Sequence, residues 1–127
     1  MTKPGQLVLV VEDDDSIRRV ITDVLEEHGF RVIGAADGSE ALGRLNVARP
    51  DLVVLDLLMP GMHGWDFMET YEERTGGQEI PIVVVSVNPA LPRSFNRLGV
   101  RSVVAKPFDV DVLLDSVDRA LAPPSMT

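Results

Sequence analysis

Cysteine is absent from this chain of 127 residues. Disulfides, thiolate catalysis and cysteine-ligated metals are therefore excluded. Histidine is nearly absent. His28 and His63 are the only two, too few for a multi-histidine metal site. Cationic residues are in deficit: 12 Lys and Arg against 20 Asp and Glu leave a net charge of −8. That balance argues against a nucleic-acid surface, which needs clustered cations facing phosphates. It argues equally against an anionic membrane surface. No apolar run approaches the roughly 20 residues that cross a bilayer. Residues 1–6 lack the pattern of a signal peptide, so a cytoplasmic location is expected. What remains is ordinary for a globular domain, with 45% hydrophobic residues and a length that suits one domain.

The chain alternates between two hydrophobic patterns. Leu7 to Val11, Leu52 to Met59 and Ile82 to Val87 are nearly unbroken apolar runs, as expected of strands buried on both faces. Arg31 to Ala36 and Val103 to Ala105 read as shorter strands. Between them, Ile17, Val20, Ile21, Val24 and Leu25 form one helical stripe that Gly29 is placed to end. Ala41, Leu42 and Leu45 mark a short helix after the Asp37-Gly38-Ser39 cap signal, closed by Pro50. A third helix carries Trp65, Met68 and Tyr71 on one side. A short fourth is expected over residues 93–98, between prolines and the last strand. Val110, Leu113, Leu114, Val117 and Leu121 line a final helix capped by Asp109. Five strands alternating with five helices predict an α/β fold, a doubly wound parallel sheet covered on both faces. The expected domain spans residues 1–122, with 123–127 a tail or the start of a linker.

Polar residues gather where such a sheet binds ligands, at the C-terminal ends of the strands. Glu12 and Asp13 end the first strand, Ser86 the fourth and Lys106 the fifth. Asp56 sits inside the apolar run LVVLDLLM, where a carboxylate is costly without a charge partner or a metal. Three carboxylates and one ammonium sum to −2, which one divalent cation would neutralise. An all-oxygen donor set suits Mg²⁺ and disfavours zinc. The pocket thus reads as a device for bringing a phosphoryl group to a carboxylate, with Asp56 as nucleophile. Lys106 and Mg²⁺ would stabilise the phosphoryl oxygens, and Ser86 would donate to one of them. Asp14 and Asp15 are expected to favour the positive end of the first helix, and His28 the negative end. His63 reads as an exposed loop residue.

The segments LVLVVEDDDSIRRV, VVLDLLMPGMHG, IVVVSV and VVAKPF, in this order and spacing, resemble the receiver domain of bacterial two-component response regulators. The resemblance covers the chain from about Gln6 to Leu121. It implies a flavodoxin-like (βα)5 fold with strand order 2-1-3-4-5. It implies Asp56 as phosphoacceptor, with Glu12 and Asp13 as the acidic pair. Leu58 falls at the position whose backbone carbonyl completes the Mg²⁺ site, Ser86 at the hydroxyl switch and Lys106 at the essential lysine. A cis Lys106–Pro107 bond is also implied. The implied partners are a histidine kinase or histidine phosphotransfer protein and an output protein still to be identified. A homodimer through the fourth helix, fifth strand and fifth helix is a further expectation.

Three positions depart from the family pattern. Val103 stands where an aromatic is usual, so a switch by ring rotation cannot run here. Val87 replaces a small residue beside the phosphoryl site. The segment between Ser86 and Lys106, broken by Pro89 and Pro92, suggests a truncated fourth helix. Apolar Leu58 offers no group to orient an attacking water, so slow self-dephosphorylation is expected. One alternative is a phosphorylation-independent interaction module, a pseudo-receiver that keeps the fold. Another is an aspartate-nucleophile phosphatase using Asp13 in Asp13-Asp14-Asp15-Ser16; the chain is short for that fold.

Overall fold

A computed structural model of the chain describes residues 5–56, 67, 69–70, 73, 80–87 and 100–122. The strands are β1 (Leu7–Val11), β2 (Arg31–Ala35), β3 (Leu52–Asp56), β4 (Ile82–Ser86) and β5 (Val100–Ala105). Helices α1 (Asp15–Glu27), α2 (Gly38–Leu45) and α3 (Val110–Leu121) are described in full. Phe67, Glu69, Thr70 and Glu73 are helical within the expected third helix. Trp65, Met68 and Tyr71, the side first assigned to that helix, lie outside the described residues. So do the expected fourth helix and residues 123–127.

All five strands are parallel, in the order β2-β1-β3-β4-β5. Every residue of β1, β3 and β4 is buried, which is why their sequences show no alternation. Two aliphatic layers cover the faces. Leu9, Val11, Val53, Leu55 and Val84 meet Ala41, Leu42 and Phe67 on one side. On the other, Val8, Val10, Val54, Val83 and Val85 meet Ile21 and Leu25 of α1 and Leu113 and Val117 of α3.

Acidic caps start each of the three helices described in full. Asp14 accepts from the Ile17 N–H at 3.0 Å, Asp37 from Glu40 at 2.8 Å and Asp109 from Asp111 at 2.8 Å. The Glu40 carboxylate returns to the Ala36 N–H at 3.1 Å, a reciprocal cap. Gly29, at φ 101°, follows the C-cap His28 and turns the chain out of α1. His28 Nε2 also reaches Asp118 of α3 at 3.0 Å, so its role extends beyond the helix end.

Two expectations need correction. Pro50 does not close α2; the helix stops at Leu45 with Asn46 as C-cap, and Pro50 is buried in the connection to β3. Strand β5 begins at Val100, three residues before the expected Val103. A bulge explains the miss. Ile82 pairs with Val100 and Val83 with Ser102, so Arg101 is an extra residue on β5. The bulge breaks the alternation that a sequence pattern needs.

Candidate functional site

The sheet order sets the location. From β1 the chain moves to β2 on one side, then crosses back to β3 on the other. The C-terminal ends of β1 and β3 therefore open a crevice at the reversal point. Glu12 and Asp13 follow β1 directly, Asp56 is the last residue of β3, and Ser86 ends β4 next to it. Lys106 follows β5 and its N–H donates to the Ser86 carbonyl at 2.9 Å, holding the two strand ends together. The Lys106–Pro107 bond is cis.

The side chains converge. Ligand oxygens of Glu12, Asp13 and Asp56 all lie within 4.8 Å of one another. Lys106 Nζ is 2.6 Å from Glu12 Oε1 and 3.3 Å from Asp56 Oδ2. Glu12 and Asp56 are 1% and 5% exposed, so these charges are largely withdrawn from water; Asp13 faces solvent. Glu12 Oε2 accepts from the Asp14 N–H at 3.2 Å. Apart from the Lys106 ion pair, buried Oε1 has no hydrogen-bond partner among the described residues.

This environment sets the protonation states. Burial pushes the Glu12 carboxyl up to about 7, although Lys106 and the Asp14 N–H pull it back and Asp56 adds to the rise. Burial would lower the Lys106 ammonium, but hydrogen bonding to Glu12 and the charges of Glu12 and Asp56 hold it above its ordinary value. The pocket has an excess of negative charge and a set of hard oxygen donors. Those properties fit a hard divalent cation.

The structure brings Glu12, Asp13, Asp56 and Lys106 together. Ser86 is buried at the adjoining strand end, and Val87 after it is 66% exposed. Val103 pairs with Val84 and packs, partly buried, against the aliphatic layer that contains Leu55. Leu58 and His63 lie outside the described residues.

One residue was not foreseen. Arg18 of α1 reaches back so that Nη1 donates to the Glu12 carbonyl at 2.7 Å, while Nη2 meets Asp15. Its stem crosses β2 at Gly34, where a Cβ would stand 3.4 Å from Arg18 Cδ. A cation on an amphipathic helix reads as solvated surface, so the sequence alone hides this contact. The nearest signal is the glycine inside β2. Replacing Arg18 with Met keeps the stem and removes the bond. The affinity of the acidic cluster for Mg²⁺ should then fall roughly tenfold, the usual effect of an outer-shell partner. Calorimetric titration of Mg²⁺ checks this; unchanged affinity would show that the Glu12 carbonyl needs no anchor.

The geometry is thus a doubly wound parallel sheet with three carboxylates and a lysine gathered at its reversal point. The chain belongs to the response regulator receiver domain family, whose model matches residues 8–118. Sporulation initiation phosphotransferase F of Bacillus subtilis is 31% identical, over 92% of this chain and 94% of that protein. The phosphate regulon transcriptional regulatory protein PhoB of Escherichia coli is also 31% identical, over 91% of this chain but only 53% of its own length. The solved structure of the Vibrio cholerae chemotaxis protein CheY4 superposes with a TM-score of 0.83 at 31% identity, over 92% of this chain and 99% of that one. Among the described residues, no helix is long and apolar enough to cross a membrane.

Proposed function

We propose that the chain is the phosphoacceptor of a two-component phosphorelay, with Asp56 accepting the phosphoryl group and the phosphorylated state controlling partner binding. The observation that carries this reading is the position of Asp56. It is a nearly buried carboxylate at a strand end, beside a lysine and two further carboxylates. A purely structural aspartate would need a charge partner such as Lys106, but not two further carboxylates beside it.

Glu12, Asp13 and Asp56 would hold Mg²⁺, with the Leu58 carbonyl assigned by family resemblance; when bound, the ion supplies positive charge against the phosphoryl oxygens. An Asp56 carboxylate oxygen attacks phosphorus and forms the new P–O bond. The bond from phosphorus to the donor breaks, and its electron pair leaves with the donor group. Lys106, 3.3 Å from Asp56 Oδ2, offers its ammonium to a phosphoryl oxygen. The Ser86 hydroxyl donates to another. Phosphorylation takes Asp56 from −1 to nearly −2. With Val103 aliphatic, the response must pass through the Ser86 and Lys106 strand ends rather than through an aromatic ring. The donor is a histidine kinase or histidine phosphotransfer protein, in keeping with a relative named as a phosphotransferase. The reaction would take place in the cytoplasm.

Intact mass after incubation with a small-molecule phosphodonor tests the reading. One added phosphoryl group should appear with Mg²⁺, vanish in chelator and vanish in Asp56→Asn. An adduct that persists in Asp56→Asn, or no adduct under any condition, would leave an interaction module as the better description.

A further inference from the structure

A second polar crevice lies at the opposite end of the sheet. Here the start of β5 meets the C-terminal half of α3. The cavity is about 220 Å³ and is lined by Arg101, Ser102, Ser116, Arg119 and Ala120. At roughly 30 Å³ per water, it has room for several waters or one small polyatomic ion. Four of its five residues carry side-chain hydrogen-bond donors, and no carboxylate is among them.

The bulge builds this site. Because Arg101 is the extra residue between the Val100 and Ser102 pairings, consecutive side chains of β5 both line the cavity. The opposite wall comes from α3, where Ser116 and Arg119 are three residues apart and share a face. Ser116 is 3% exposed, and its hydroxyl has no hydrogen-bond partner among the described residues. The hydroxyl is open to the cavity rather than sealed in the core, so it is free to meet a ligand there. Arg101 is exposed and makes no ion pair among the described residues. Among the described residues the Arg119 guanidinium pairs with Asp115 alone, at 3.0 Å, in a pair that is 73% and 62% exposed. An exposed pair of this kind holds weakly, so the Arg119 fork can turn inward.

We propose that this crevice binds a phosphate group, brought either by inorganic phosphate or by a phosphomonoester. Two guanidinium forks and two hydroxyls, from a strand on one side and a helix on the other, surround a tetrahedral oxyanion better than a planar one. In a chain of net charge −8, such a concentration of donors without a lining carboxylate offers an anion a favourable place to settle. The proposal stands apart from the role of Asp56, since no residue is shared.

Amide NMR spectra of the full chain, titrated in Mg²⁺-free buffer at constant ionic strength, test it. Inorganic phosphate is one arm and phosphoserine the other; the tighter binder identifies the source. The expected result is saturable shifts at Arg101, Ser102, Ser116 and Arg119. The double substitution Arg101→Gln with Arg119→Gln should weaken binding by about tenfold or more, since it removes charge-assisted bonds. Ser116→Ala should weaken it while leaving the circular dichroism spectrum unchanged. Shifts that never saturate, that persist unchanged in the double variant, or that are confined to Glu12, Asp13, Asp56 and Lys106 would overturn the proposal.

Discussion

Lys106→Met should lower the thermal midpoint of the metal-free protein by roughly 10 °C at pH 8, because breaking a buried ion pair costs about 3–5 kcal/mol. The substitution keeps most of the stem and removes an ammonium that contacts both Glu12 and Asp56. Two nearly buried carboxylates then face each other without a cation. The effect should depend on pH in a definite direction. Burial raises Glu12 from 4.5 to about 7 in the folded chain, so its proton stabilises the fold. That stability is fully present below 4.5, the unfolded value, and is lost as pH rises through about 7. Removing Lys106 removes a cause that lowers the Glu12 value, so the loss should extend to higher pH. The penalty of Lys106→Met should accordingly shrink at pH 5, where Glu12 carries its proton. Thermal melts in chelator between pH 5 and pH 8 measure this. Equal midpoints for the two proteins at pH 8 would mean that Lys106 does not compensate the pocket.

Asp13→Ala and Asp14→Ala should separate cleanly although the residues are adjacent. Asp13 belongs to the carboxylate cluster, while the Asp14 side chain is committed to the Ile17 N–H at 3.0 Å. Asp13→Ala should weaken Mg²⁺ binding by at least roughly tenfold, since even outer-shell partners are worth that much. Asp14→Ala should leave Mg²⁺ affinity unchanged and cost about 1 kcal/mol of stability, the usual effect of a lost N-cap. Calorimetric Mg²⁺ titrations and thermal melts on both variants give the two readouts. Equal losses of affinity would show that the acidic pair has been misplaced by one residue.

These two residues also show what sequence could and could not reveal. Asp56 stood out because a charge inside an apolar run has few explanations. β1 and β4 were readable almost to the residue because both faces are buried and nothing interrupts the run. Asp14 was readable as a cap, since an acid immediately before a helical stripe has a standard use. The start of β5 was hidden because its edge position tolerates Arg101 and Ser102 and the bulge disturbs the period. Phe67 was missed because the stripe drawn through Trp65, Met68 and Tyr71 passed it by, yet it is 1% exposed in the aliphatic layer. Arg18 was hidden for a different reason. Its bond to the Glu12 carbonyl joins two segments whose proximity only the folded chain creates.

The double pairing of β1 has a consequence for how the molecule opens. This strand has β2 on one flank and β3 on the other, and none of its residues is more than 8% exposed. Alternate amides of β1 face β2 and β3, so the strand is freed in full only when both flanking strands come away, and β1 belongs to the last part of the structure to exchange with water. Glu12 and Asp13 are attached directly to that slowest-exchanging segment. The edge strand β5 carries the bulge and can loosen at far smaller cost. One end of the sheet thus gives the carboxylates a fixed frame, while one side remains free to yield to whatever binds there.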